Sequence, residues 1–289
     1  MKGIAVGNGC TGSEFGVCSG RSTFVAQYFV ETTAFVKPDL KKKLNDNCDW
    51  DTPYDISPAC DALIEEMREE LYWINSYSVY SDCINRRDGL KKSDAQDQDY
   101  PLVQKDFGNG FVGLNSMKDG PTPCIDGKPP STYLNQDEVI EAIHVQKQNK
   151  NWTVCNPTVG RKYIRTRPNL PQDTYPFLTE HIRILIYTGD WDAKVPYTDN
   201  YKWTKDMGFE ILEDWHQWFY NDSISQDNLM SINNVKQRDE VEEQVGGYAI
   251  RYAHNFTFIT VRGGAHEVPA TAPASSFEML RRFLKGIDF

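Results

Sequence analysis

The chain has 289 residues, of which 31 are basic and 41 acidic, so its net charge at neutral pH is −10. A chain of this length can bury one sizeable core, or one core with an inserted subdomain. The acidic balance excludes a nucleic-acid-binding protein, because no basic face could dominate the electrostatic field. No apolar stretch is long enough to cross a bilayer, so we expect no membrane partner. The absence of a signal pattern after Met1 suggests that the native N-terminus is missing.

The first half of the chain predicts one strand followed by helices. Residues 2–9 have the pattern of a strand that ends at Gly7-Asn8-Gly9, and residues 11–20 that of a loop. Apolar spacing predicts helices over residues 22–36, ended by Pro38, and over residues 59–74. The second helix carries four glutamates opposite its apolar face. Such a cluster could bind a metal, but a solvated helix face is more usual, and we predict no metal site. The glutamates are Glu65, Glu66, Glu69 and Glu70.

The middle of the chain predicts an insertion. Residues 86–132 are polar and rich in turn-forming residues, which indicates irregular structure over the mouth of a site. Residues 135–144 predict a helix with Val139, Ile140 and Ile143 inward and His144 as a cap or core residue. We therefore predict a mostly helical cap over residues 21–165, inserted between core segments 1–20 and 166–289. No glycine-rich phosphate loop occurs, so we expect no cofactor.

A short apolar run at residues 184–187 ends abruptly at Gly189-Asp190-Trp191-Asp192. Unbroken apolar residues are typical of a parallel strand covered on both faces. Chemistry collects at the carboxyl ends of such strands, so Asp190 or Asp192 lies where a catalytic acid would lie. The alternative is an ordinary turn between a strand and a helix.

A second strand, residues 256–261, is followed by a loop that carries His266. An acid after one strand and a histidine after the next is the order of the second half of the α/β-hydrolase triad, Ser–Asp–His. No Gly-x-Ser-x-Gly motif occurs in the sequence, and the Gly12-Ser13-Glu14-Phe15-Gly16 cluster lacks the strand–turn–helix context of a nucleophile. His266 could instead be a hydrogen-bonded loop residue. The intervening aromatic residues 215–220 favour packing on the sheet over a binding surface.

Four blocks of sequence resemble the serine carboxypeptidases. They are residues 2–9, residues 187–192 with Val195-Pro196, residues 245–248, and residues 261–269 with the helix at 277–284. The resemblance implies an α/β-hydrolase fold that lacks its N-terminal strands, and the release of C-terminal residues from peptides. The family's catalytic acid falls on Asp192 and its base on His266, which makes Asp190 a turn residue.

The resemblance also implies that Val195 and Glu267 line the pocket for the leaving residue. The family's nucleophile precedes the first block, so this chain corresponds to the C-terminal part of a carboxypeptidase and is expected to be inactive alone. Its expected partners are peptide substrates and the missing N-terminal segment, and a homodimer is compatible with the sequence. The alternatives are a same-fold acyltransferase or hydroxynitrile lyase, or a non-catalytic carboxypeptidase-like binding protein.

Seven cysteines without a Cys-x-x-Cys pair indicate disulfides rather than a zinc site, although free buried thiols are the alternative. The resemblance pairs Cys48 with Cys60 and Cys83 with Cys124. It places the partner of Cys155 upstream of the nucleophile, which leaves Cys10 and Cys18 to pair with each other. Glycosylation sequons begin at Asn151, Asn221 and Asn255. Together these features predict the secretory pathway, with a lysosomal, vacuolar or secreted destination.

Overall fold

The computed structural model describes residues 2–12, 16–19, 23–51, 56–83, 128–146, 151–153, 162–164, 166, 169–221 and 243–289. These residues form a mixed five-stranded sheet of order β1-β2-β5-β4-β3. β1, β2 and β5 run parallel, whereas β4 is antiparallel to both of its neighbours. The strands are β1 Gly3–Gly7, β2 Arg183–Gly189, β3 Ile211–Asn221, β4 Glu243–Tyr252 and β5 Phe256–Val261.

β1 and β2 are neighbours in the sheet although they are distant in sequence, with Gly3 opposite Arg183. The described part of the chain between them, which includes the predicted cap, is mostly helical. Residues 86–127, which belong to the predicted irregular segment, lie outside the described residues. The helices of the predicted cap are α1 Thr23–Thr32, α2 Pro38–Asn47, α3 Pro58–Glu70, α4 Lys128–Leu134 and α5 Asp137–Ala142.

Two helix predictions in the cap need correction. Pro38 begins α2, which the sequence analysis did not foresee, because proline is well suited to the first turn of a helix, where its missing N–H is not needed. The helix predicted over residues 135–144 forms as the shorter α5, Asp137–Ala142. Asn135 lies before it, at the end of α4, where its Nδ2 donates to the Ser131 carbonyl at 2.7 Å. Ile143 is 52% exposed and His144 lies in an exposed turn, so neither belongs to a core.

The apolar run of β2 is buried on both faces. Ile184 and Ile186 pack with Trp203 on one face, and Leu185 packs with Met279 on the other. This two-sided burial explains why the strand lacks polar alternation. The helices of the core are α6 Leu170–Asp173, α7 Tyr175–Thr179, α8 Tyr197–Asp206, α9 Val268–Thr271 and α10 Pro273–Lys285.

The aromatic residues of β3 divide between core and surface. Trp218 is buried and its Nε1 donates to the Thr260 carbonyl at 2.9 Å, as the packing interpretation predicts. Trp215 is 40% exposed and stacks on Tyr248 with ring centroids 5.3 Å apart. Trp218 therefore packs on the sheet as expected, whereas Trp215 is only partly covered by its neighbours.

Two disulfides join described cysteines. Cys48–Cys60 links the end of α2 to the start of α3, and Cys10–Cys18 closes the loop after β1. Cys83 is also disulfide-bonded. Cys124 and Cys155 lie outside the described residues. None of the helices among the described residues has the length and apolar character needed to cross a membrane.

Candidate active site

The site lies where β2 and β5 end side by side. Gly189, the last residue of β2, is opposite Val261, the last residue of β5. A Cβ atom on Gly189 would lie 2.2 Å from the Gly264 carbonyl oxygen, so only glycine allows the two following loops to touch. Asp192 on one loop and His266 on the other are therefore brought together.

Asp192 and His266 form a hydrogen-bonded pair. Asp192 Oδ2 lies 2.9 Å from His266 Nδ1. The carboxyl group is fully buried, whereas 32% of the imidazole side chain is exposed. An acceptor at Nδ1 favours the tautomer that carries its proton there, which leaves Nε2 able to accept one. Within the described part of the chain, no side chain forms a hydrogen bond with Nε2.

Three further donors support the Asp192 carboxylate. The Lys194 amide donates to Oδ1 at 2.7 Å, the Val195 amide to Oδ2 at 3.3 Å, and Asn8 Nδ2 also donates to Oδ2. Buried carboxylates need such donors, because a charge without partners is costly to bury. The donor set therefore fits an ionised Asp192.

Asn8 is a site residue that the sequence analysis missed. It lies directly after β1, is buried, and has a left-handed backbone with φ of 47°. Asparagine tolerates this conformation better than most residues, so Gly7-Asn8-Gly9 was interpreted only as a turn. Its position at the end of a strand parallel to β2 was the available signal, because the carboxyl ends of parallel strands lie together.

A cap segment, residues 75–81, crosses both loops, and we call it the strap. The Ala193 amide donates to the Ser76 carbonyl, the Val79 amide to the Trp191 carbonyl, and the His266 amide to the Tyr77 carbonyl, at 2.9, 3.0 and 2.9 Å. Backbone pairing of this kind leaves no motif in the sequence, so the strap was not predicted.

Tyr77 places an aromatic ring beside the imidazole, and Lys194 lies near that ring. Its ring stands edge-on to the His266 ring with centroids 5.0 Å apart, and Lys194 Nζ lies 5.4 Å from the Tyr77 centroid. The cap thus borders the pair directly.

Asp190, predicted as a turn residue, joins the two loops through its side chain. Its Oδ1 accepts a hydrogen bond from the Gly263 amide at 2.7 Å. Burial raises the pKa of this carboxyl to about 6. The sequence analysis did not assign this contact to Asp190.

The other predicted residues occupy varied positions. Val195 is buried and Glu267 is exposed at the start of α9, directly after His266. Asn255 is exposed in the turn between β4 and β5, and Asn151 and Asn221 are also exposed. The described residues contain no cluster of ligands suited to a metal ion.

Comparisons with known proteins agree with the sequence resemblance. A family model described as serine carboxypeptidase matches residues 1–286. Serine carboxypeptidase-like 20 of Arabidopsis thaliana is 25% identical over 99% of this chain and 57% of its own length. Lysosomal protective protein of Mus musculus is 28% identical over 73% of this chain and 43% of its own. The chain spans about half the length of such relatives.

A solved structure shows the same fold. The crystal structure of Kex1(delta)p, a prohormone-processing carboxypeptidase from Saccharomyces cerevisiae, matches 99% of this chain and 55% of that chain with a TM-score of 0.52 and 15% identity. The mixed sheet with helices on both faces and this likeness confirm the predicted α/β-hydrolase fold.

Proposed function

The chain belongs to the serine carboxypeptidase family, and from this premise we propose that it supplies the acid and the base of a site that releases C-terminal residues from peptides. The supporting observation is the 2.9 Å contact between Asp192 Oδ2 and His266 Nδ1. A buried carboxylate behind a partly exposed imidazole is the arrangement that serine-type acyl transfer requires.

Each residue has a defined role in this proposal. Asp192 holds the Nδ1–H tautomer of His266 and stabilises the imidazolium. His266 Nε2 takes the proton of a serine hydroxyl as its oxygen attacks the peptide carbonyl carbon. The imidazolium then returns the proton to the leaving amine as the C–N bond breaks. A water molecule repeats the sequence on the acyl-enzyme, which releases the acid and regenerates the serine.

We propose that the serine comes from polypeptide outside these 289 residues, because the sequence contains no nucleophile motif. The chain alone is then inactive, since an acid and a base without a nucleophile retain little of the triad's effect. A fluorophosphonate probe and a peptide ending in arginine test this. We expect neither labelling nor release by the chain, and both by a longer product that contains it. Labelling of the chain alone that disappears in His266→Ala would place the serine within the chain.

Acyl transfer to another acceptor, or a lyase reaction, is the alternative within this fold. The same acid and base would serve each reaction, so the choice depends on the acceptor. Peptides and activated esters offered to the longer product, with water or an alcohol as acceptor, separate these reactions. Ester products in preference to free acid would favour the acyltransferase.

We further propose that Glu267 selects basic leaving residues and that Val195 lines the same pocket. Glu267 follows the base directly and is exposed, so its carboxylate can meet a Lys or Arg side chain. A charge-assisted hydrogen bond contributes about 1.5–3 kcal/mol, or roughly tenfold or more in preference. In an active enzyme that contains this segment, Glu267→Gln should lower kcat/KM for basic C-termini relative to apolar ones. Equal losses for both substrates would exclude a role in selection.

The secretory route is part of the proposal. The disulfides Cys10–Cys18 and Cys48–Cys60 support an oxidising compartment, and one relative is named a lysosomal protein. Glycosylation at Asn151, Asn221 and Asn255 would add support, because sequons are modified along that route. Expression in a secreting host, followed by glycosidase treatment, tests it through the change in mass.

A further inference from the structure

Besides the contact between Asp192 and His266 themselves, three hydrogen bonds join the loops that carry these two residues. The Asp190 amide donates to the Val261 carbonyl at 3.2 Å, and the Trp191 amide to the Gly264 carbonyl at 2.8 Å. The third is the 2.7 Å contact from the Gly263 amide to Asp190 Oδ1. Two of the three bonds join backbone groups, which any residue could supply. The third depends on a side chain, that of Asp190.

The Asp190 contact acts on the turn that aims His266. Gly263 has φ of 71°, in the left-handed region that glycine accepts readily. The far end of the loop is held by the Ala265 amide, which donates to Thr271 Oγ1 at 2.8 Å, and by the His266 amide on the Tyr77 carbonyl. At the near end of the loop, the Gly263 amide provides the hydrogen bond that a side chain of the acid's own loop accepts.

We propose that Asp190 is a positioning residue, whose carboxyl fixes the Gly263 turn and thereby holds His266 Nδ1 within hydrogen-bond distance of Asp192. The inference rests on the proposed function for the role of His266 as base, but the contact and its test involve no substrate. Asp190 therefore acts through His266, and it need not touch a reacting atom.

The surroundings of Asp190 determine how it behaves with pH. The Tyr28 hydroxyl donates to its backbone carbonyl at 2.7 Å, the Tyr197 hydroxyl lies near enough to interact electrostatically, and the Arg262 cation favours its ionised form. Burial outweighs that cation and raises the pKa to about 6. Both forms retain an oxygen that accepts the Gly263 proton, and the ionised form accepts it more strongly. Asparagine at this position therefore imitates the neutral form.

The test measures the imidazole itself in the purified chain. The Nδ1 proton of a histidine bonded to a carboxylate resonates far downfield, and His266→Ala assigns the signal among the five histidines. We expect Asp190→Ala to lose the signal, and Asp190→Asn to retain it because its amide oxygen still accepts. Asp199→Asn is the matched control, because Asp199 is also buried but accepts from Val17. It should leave the signal unchanged.

Hydrogen exchange gives a second measurement on the same samples. Loss of the Asp190 contact should speed exchange of the Gly263 amide about tenfold in Asp190→Ala, with no change at the β2 amide of Ile184. The unmodified chain provides a readout that needs no variant, since the Gly263 amide proton should shift downfield as Asp190 ionises near pH 6. A folded Asp190→Ala protein with the wild-type signal, or a Gly263 amide that does not move between pH 4 and 8, would overturn the proposal.

Discussion

Single residues at this site combine a chemical and a conformational requirement. Asn8 must donate to Asp192 while its backbone adopts a left-handed conformation, and Asp192 must remain buried while it supports a partly exposed imidazole. Such positions admit few residue types, because the side chain and the backbone impose separate conditions. Different substitutions at one such position can therefore test the side-chain contact and the backbone conformation separately.

At Asn8, three substitutions separate the hydrogen bond, the backbone and the charge. Asn8→Gly keeps the left-handed backbone and removes the donor, so the free energy of unfolding should fall by about 1–3 kcal/mol. Asn8→Ala adds backbone strain and should be less stable still. Asn8→Asp places a second carboxylate against Asp192 and should destabilise more at pH 7 than at pH 4. Urea unfolding at both pH values measures this. Equal stability of wild type and Asn8→Asp at pH 7 would contradict the assigned contact.

Asp199 on α8 should make stability depend on pH. Burial raises its pKa from 3.8 to about 7, and its contact is the Val17 amide at 3.1 Å. The Asp199 carboxyl binds its proton more tightly in the folded protein than in the unfolded chain. Below pH 4 it is protonated in both states, so it destabilises the fold least there. The destabilisation grows as pH rises to about 7, reaches about 4 kcal/mol and is constant above.

Asp199→Asn should therefore remove a decline in unfolding free energy between pH 4 and 7. Asp206→Asn on the same helix, with 61% of its side chain exposed, is the matched control and should retain the decline. Parallel pH profiles for wild type and Asp199→Asn would show that the buried carboxyl does not titrate as stated.

At the scale of elements, the site is an assembly of strand ends and one cap segment. Asn8, Asp192 and His266 follow β1, β2 and β5 at the same edge of the sheet, and the strap pairs with two of these loops through backbone hydrogen bonds. The cap core includes Ala193 and Val195 from the Asp192 loop, so cap and site share packing. Disulfides within the cap should therefore also stabilise the loop that carries Asp192.

The disulfide pattern is the prediction that belongs to this scale. Cys48–Cys60 ties α2 to α3 and closes a short loop, and its removal by Cys48→Ser with Cys60→Ser should lower the free energy of unfolding by about 2–4 kcal/mol. Non-reducing peptide mapping should also join Cys83 to Cys124 and leave Cys155 unbonded within the chain. A Cys155 peptide linked to Cys83 or Cys124 would show that the pairing expected from the family is wrong.

At the scale of the whole molecule, β1 lies at one end of the described sheet order. It is short and apolar, and Ala5 at its centre is exposed. An edge strand with unpaired backbone groups can pair with another chain, so the isolated protein should self-associate.

Ala5→Lys should reduce that self-association, because a charge on an edge strand opposes pairing. Ala59→Lys on α3 is the matched control, since it adds the same charge at an exposed alanine away from the sheet. Sedimentation velocity over a range of concentrations measures both. A wild-type chain that stays monomeric throughout, or equal effects of the two substitutions, would exclude the edge as the cause.

The sequence by itself determined the β2 and β5 strands and the loops that carry Asp192 and His266, because buried strands and their abrupt ends have distinctive local patterns. It also favoured packing of the aromatic residues 215–220 on the sheet, which Trp218 confirms. Tertiary structure alone decided the roles of Asn8, Asp190 and the strap. Their partners are more than 70 residues away or are backbone groups, and neither spacing nor periodicity encodes such contacts. The end of α4 before Asn135 was decided in the same way, since the Asn135 amide donates to the Ser131 carbonyl, a contact that periodicity does not encode.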